Sequence, residues 1–175
     1  MARSQSGKAA SASHRLAALM IGCALIGGAT AVSAATATST FQSRIVIQSQ
    51  CLVAVASTLD FGTANLLLAN VDQTTTFNVQ CTNTTTYNIG LDAGTTSGGT
   101  VATRKMISAA SATVDYQMFS DSGRTVNWGN TVPTDTVSGT GTGSAISYTV
   151  YGRVPPQVTP APNTYTDLVT ITVTY

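Results

Sequence analysis

The sequence predicts an all-β protein, folded as a sandwich of two antiparallel sheets. Apolar and polar residues alternate with a period of two through residues 36–175, and Thr, Val, Ile and Tyr are enriched in the alternating runs. Stretches rich in Gly, Asn, Asp and Ser separate these runs, as turns require. Since no long window has helical periodicity to cover a parallel sheet, two facing antiparallel sheets fit the pattern best.

The first alternating run is TSTFQSRIVIQSQC at residues 38–51, where Phe41, Ile45 and Ile47 share one face of an extended chain. This run lies at the front of the predicted mature chain and has no obvious partner strand. The remaining predicted strands are Val53–Val55, Thr74–Cys81, Thr86–Asp92, Val114–Phe119, Ala145–Gly152 and Leu168–Tyr175. The run SGTGTGS at 138–144 is interpreted as a flexible loop, and the Pro-rich stretch at 154–163 as an extended connection.

The last predicted strand ends with the sequence and places Val169, Ile171, Val173 and Tyr175 on one face. No residues follow it to supply a neighbouring strand. We therefore expect its apolar face and backbone groups to be covered from elsewhere, because open sheet edges bind other chains.

Residues 1–35 predict a secretory signal peptide. Three cationic residues precede the apolar run LAALMIGCALIGGATAV, and the small residues SAA follow it. A transmembrane helix and a lipoprotein signal, with MIGC before a lipidated Cys23, are the alternatives; the short run and its apolar continuation beyond Cys23 disfavour them. The chain is thus expected to pass through the periplasm to the cell surface or the medium.

The composition of residues 36–175 excludes several classes of function. The cations Arg44, Arg104, Lys105, Arg124 and Arg153 are outnumbered by seven aspartates, which leaves no basic surface for nucleic acid. This part contains no Glu, and the only His is His14 in the predicted signal, so the commonest general bases are missing. We expect neither an enzyme nor a cofactor or small-molecule substrate.

The other candidates for chemistry are weak. Two catalytic possibilities remain: a Ser-Lys pair that uses Lys105, and a glycosidase pair of Asp115 and Asp121. Nothing in the spacing of these residues selects either. Cys51 and Cys81 predict one disulfide in an exported chain, since a two-thiol metal site would lack further ligands. Trp128 is interpreted as a core-edge residue, with sugar stacking as the alternative.

An ordered set of segments resembles the spore coat protein U family, which includes subunits of archaic chaperone-usher pili. The segments are Cys51, LDFG at 59–62, VQCTNTTTYNIGLDAG at 79–94, RKM at 104–106, DYQMFSDSGRTVNWG at 115–129 and YTVYGRVPPQVTPAPNTYTDLVTITVTY at 148–175. The resemblance implies an incomplete immunoglobulin-like sandwich, over residues 51–175, that a donated strand completes. Cys51 and Cys81 match the family's disulfide.

The resemblance also assigns roles and partners. Residues 36–50 match the donor segment, with Phe41, Ile45 and Ile47 as its inserting side chains, and the final strand flanks the acceptor groove. The implied partners are a periplasmic chaperone, an outer-membrane usher and like subunits in a pilus that supports adhesion or biofilm formation. Two alternatives remain: a monomeric carbohydrate-binding sandwich, and a spore or cell coat component. Whether residues 36–50 also form the domain's first strand stays open.

Overall fold

The computed structural model describes residues 33–54 and 57–175. Except for residues 33–35, the predicted signal peptide lies outside the described residues, and so does Val55 of one predicted strand. The chain divides into two units, residues 1–43 and 44–175. In the described part of the first unit, residues 33–43 form no strand and are exposed.

The second unit contains eight strands. They are β1 (Cys51–Ala54), β2 (Val71–Cys81), β3 (Thr86–Leu91), β4 (Arg104–Ile107), β5 (Thr113–Phe119), β6 (Val137–Thr140), β7 (Ala145–Val154) and β8 (Ile171–Thr174). Five strands form one sheet in the order β1-β2-β7-β5-β4, and three form a second sheet in the order β6-β3-β8.

Every strand pair among the described residues is antiparallel. The same residues include no helix, and therefore no helix that could span a membrane. The all-β antiparallel fold predicted from the sequence is therefore confirmed.

The core lies between the inner faces of the two sheets, as period-two alternation predicts. Phe77 and Val79 of β2 are buried, and so are Tyr87, Ile89 and Leu91 of β3. Phe77 also contacts the Trp128 ring at a centroid distance of 5.8 Å and the Tyr148 ring at 5.9 Å. Phe77 and Tyr148 belong to the same sheet, whereas Trp128 also donates from Nε1 to the Ile89 carbonyl of β3, so the Trp128 ring links the two sheets.

The predicted disulfide is present. Cys51 and Cys81 are directly paired across β1 and β2, so that the bond ties the first residue of β1 to the last residue of β2. The first strand of the domain thus begins at Cys51, and the residues before it are fixed to the domain at this point.

Several strand predictions need correction: β1 begins two residues earlier than predicted, β2 begins three residues earlier, and β7 ends two residues later. β4 was not predicted from alternation, because only four residues pair there. β6 lies partly in the run predicted as a flexible loop. Gly139 of this strand packs against Tyr87 and Tyr148 so closely that an added Cβ would lie 2.6 Å from an atom of each side chain. β8 is shorter than predicted, covering Ile171–Thr174. The run at 38–51 forms no strand before Cys51, since no described strand pairs with it.

Candidate functional site: an apolar groove beside β8

β8 lies at the edge of the three-stranded sheet. One side of β8 pairs with β3, from Asn88↔Thr174 to Leu91↔Ile171. On its other side no described strand pairs with it, so its outward backbone groups are free to accept a further strand. Ile171 and Val173 are half-buried against the core, whereas Thr172 and Thr174 are exposed.

A groove of about 830 Å³ lies between the two sheets in the second unit, next to the start of β8. Tyr116, Met118, Val150 and Val154 line it from the five-stranded sheet, and Leu91 and Ile171 line it from the other sheet. Alternation explains this lining, because the inner face of each strand carries every second residue. The groove is therefore apolar along its floor.

The segment LDFG at 59–62 forms one wall of the groove. Leu59 and Phe61 pack over β7 at Gly152, where an added Cβ would lie 2.7 Å from the Leu59 side chain and 2.9 Å from the Phe61 ring. The Asp60 carboxylate accepts a hydrogen bond from the Gly62 amide at 2.8 Å, and Gly62 has a φ of 73°. The motif therefore turns the chain so that both apolar side chains point at the groove.

The connection from β7 to β8 forms another wall of the groove. Thr166 pairs with Ile107 of β4 through two backbone hydrogen bonds of 2.9 and 3.1 Å, and Val169 then lines the groove beside β8. Asp167, between them, accepts hydrogen bonds from the Thr96 amide at 3.1 Å and from the Tyr116 hydroxyl at 2.8 Å. This carboxylate fixes the point at which the chain passes from one sheet to the other.

The Asp167 contact also depends on Gly94. Gly94 has a φ of 81°, and a Cβ at this position would overlap the Asp167 carboxylate. Burial raises the pKa of the Tyr116 hydroxyl above its ordinary value, and its hydrogen bond to Asp167 adds to the shift. The Tyr116 hydroxyl thus stays protonated and neutral, and its hydrogen bond to Asp167 holds the groove wall in place.

A buried arginine supports the same region. The Arg104 side chain donates to four backbone carbonyls: those of Leu91 (2.9 Å), Asp92 (2.7 Å), Val101 (2.8 Å) and Trp128 (2.7 Å). It is fully buried, and burial lowers the pKa of its guanidinium from the ordinary value. Arg104 thus joins the end of β3 to two loops through charge-assisted hydrogen bonds.

The three side chains predicted to insert into a neighbour do not contribute to the described core. Phe41 is 90% exposed, Ile45 is 83% exposed and Ile47 is 74% exposed. Large apolar side chains at this exposure are unfavourable in water, each by about 1.5 to 3 kcal/mol relative to full burial. Tyr175, predicted on the inner face of the last strand, is also largely exposed, unlike Val169, Ile171 and Val173.

The candidates for chemistry have structural partners. The Trp128 ring is 1% exposed and its Nε1 donates to the Ile89 carbonyl at 2.8 Å, so sugar stacking on this ring is ruled out. Lys105 forms an ion pair with Asp115 at 2.6 Å, and Asp121 accepts hydrogen bonds from the amides of residues 125 and 126. Within residues 33–54 and 57–175, no cluster of side chains has the makings of a metal site.

Comparison with known proteins gives a family for this fold. The family model described as the Spore Coat Protein U domain matches residues 37–172. The chain belongs to this family. No curated protein matches it.

A solved structure supports the fold assignment of this spore coat U domain. The CsuC–CsuE chaperone–tip adhesion subunit pre-assembly complex, from the archaic chaperone-usher Csu pili of Acinetobacter baumannii, matches with a TM-score of 0.55 and 19% sequence identity. The match covers 74% of this chain and 40% of that chain. At this identity the likeness concerns the fold.

Proposed function

We propose that the chain is a structural subunit of a cell-surface pilus that polymerises by donor-strand exchange. The observation that carries the proposal is the apolar groove beside the unpaired edge of β8, in a chain that also exposes Phe41, Ile45 and Ile47. A strand from another copy would pair with β8 through backbone hydrogen bonds, and its alternate side chains would fill the groove.

The two features complement each other chemically. The groove offers apolar side chains from both sheets, and the segment at residues 36–47 presents apolar side chains at alternate positions. Burying three such side chains and completing a sheet edge would together favour a stable joint. The segment would serve the neighbour rather than its own domain, whose first strand begins at Cys51.

The remaining partners follow from this mode of assembly. Residues 1–35 would direct export and then be removed. A periplasmic chaperone would cover the groove before assembly, and an outer-membrane usher would organise the exchange at the cell surface. The matched structure is a chaperone–subunit complex, which supports the chaperone as a partner. We further expect the fibre to support adhesion or biofilm formation, with no catalytic role for the chain.

A coat component is the second candidate, because the family is described by a spore coat protein. It would use the same groove and exchange of strands in a layer rather than a fibre. Electron microscopy of the assembled material separates the two, since the pilus proposal requires thin filaments of head-to-tail copies.

Deletion of residues 36–47 tests the donor role. The shortened chain keeps Cys51, β8 and the groove, so it should accept a donor strand but provide none. Added to full-length chains, it should cap growing polymers and shorten them in proportion to its share of the mixture. The control replaces Phe41, Ile45 and Ile47 by serine. It removes the apolar side chains and keeps the length of the segment, so it separates these two effects. If the deletion leaves polymer length unchanged, donor-strand exchange through this segment is wrong.

A further inference from the structure

We propose that Thr82 divides the segment at residues 36–50 into two parts, a free donor ending at Ile47 and an anchor, Gln48–Gln50, held to its own domain. The anchor is inferred from contacts within the chain. Its consequence for a fibre rests on the function proposed above.

The anchor consists of hydrogen bonds that converge on one residue. The Thr82 amide donates to the Gln50 carbonyl at 2.9 Å, and the Gln50 amide donates to the Thr82 hydroxyl oxygen at 2.7 Å. The same hydroxyl lies 3.1 Å from the Gln50 carbonyl and 3.3 Å from the Gln48 carbonyl, to which it can donate. One hydroxyl acts as both donor and acceptor here, which a valine could not do.

Thr82 is itself held on a rigid platform. It directly follows Cys81, and the anchor directly precedes Cys51, so the disulfide between these cysteines lies next to the anchor. Gly141 packs so closely on the Thr82 carbonyl that an added Cβ would overlap it, and the Gly141 amide donates to the Thr85 carbonyl at 2.7 Å. The position of Thr82 is therefore set by the domain, and the anchor residues follow it.

The hydrogen bonding of the segment changes just before the anchor. Residues 44–47 make no hydrogen bond to another described residue, and Ile45 and Ile47 are largely exposed. Ile47 is the last apolar residue of the donor, and Gln48 is the first anchored residue. No free residue therefore separates the donor from the anchor.

This arrangement fixes the distance between neighbouring copies in a fibre. An inserted donor would continue directly into backbone that is bonded to its own domain, so that the two domains share a short connection. Releasing the three anchor residues would add about 10 Å of reach, at roughly 3.3 Å for each extended residue. Thr82 is thus a positioning residue for the joint and does not contribute to the groove.

The test compares Thr82→Val with Thr82→Ser in the full chain. Valine keeps the branched shape and removes the hydroxyl, whereas serine keeps the hydroxyl. Amide hydrogen exchange at Gln50 should speed up by about tenfold in Thr82→Val, since its hydrogen-bond acceptor is lost, and should stay near the wild-type rate in Thr82→Ser. A thiol assay shows whether the disulfide is intact in each variant. Equal protection of Gln50 in wild type and Thr82→Val would overturn the anchor.

Electron microscopy then tests the consequence. Fibres of Thr82→Val should show a wider spread of angles and spacings between subunits than wild-type or Thr82→Ser fibres, with a similar yield of polymer. Identical fibres from both variants would contradict the positioning role. If wild-type chains form no fibres, the proposed function fails, while the exchange rate at Gln50 still decides whether the anchor exists.

Discussion

Ile45→Ala offers a sharp test of the donor role, because the adjacent Val46 provides a matched control. Ile45 is 83% exposed and Val46 is 63% exposed, so neither truncation removes buried contacts from the domain. In an inserted strand the two side chains would point in opposite directions. Ile45 would enter the groove of the neighbour, and Val46 would face solvent.

The expected magnitude follows from the atoms removed. Ile45→Ala deletes three carbon atoms, and at about 0.8 kcal/mol for each buried methylene the joint loses about 2.4 kcal/mol. At 1.4 kcal/mol for each factor of ten, the fraction of joints that open should rise roughly fiftyfold. The free energy of unfolding of the unpolymerised domain should stay within about 0.5 kcal/mol of wild type, as for other surface substitutions.

The assay heats polymers in steps and measures the monomer that each step releases. Ile45→Ala polymers should release monomer at a lower temperature than wild type, while Val46→Ala polymers should match wild type. Equal release from the two variants would refute the assignment of faces. A loss of domain stability in Ile45→Ala would show that this side chain serves its own domain.

Three further predictions concern the domain itself. Arg104→Met should lower the free energy of unfolding by on the order of 3 kcal/mol in urea titrations, because it leaves buried carbonyls without donors. Arg104→Lys should recover only part of this loss. An unchanged free energy of unfolding in Arg104→Met would contradict the role of the side chain. Replacing Cys51 and Cys81 by serine should cost about 3.6 kcal/mol for a sequence separation of 30, measured the same way against disulfide-bonded wild type, and an unchanged stability would contradict the cross-link's role. Hydrogen bonds from Arg153 hold the pKa of Asp72 below its usual range. The stabilisation from this pair is therefore present above the pKa of the unfolded state and is lost as the pH falls through the lower folded value. Asp72→Asn should lose less stability than wild type between pH 5 and pH 3, and parallel losses in the two proteins would count against the pair.

The sequence predicts much of the fold because alternation reports directly on burial. Phe77 and Val79 lie on the inner face of β2, as their spacing requires, and the pairing of the two cysteines follows from export and an even count. Alternation could not locate β6, because Gly139 has no side chain to show which face it occupies.

The supports of the groove were harder to find from the sequence. Arg104 resembles any surface cation in a chain that has few of them, and its burial depends on carbonyls of residues 3, 12 and 24 positions away in the sequence. Asp167 is one of seven aspartates, and its role depends on Gly94 and Tyr116, far away in sequence. The tertiary fold brings these partners together, so a single sequence gives no local signal for them.

Gel electrophoresis of the purified, assembled chain in SDS, with and without boiling, tests the central claim most directly. Joints made by strand exchange open slowly, since a complete strand must leave the groove in one step. Unboiled material should therefore give a ladder of multimers that collapses to one monomer band on boiling. A single monomer band in both lanes, from material that is polymeric before SDS is added, would contradict donor-strand exchange.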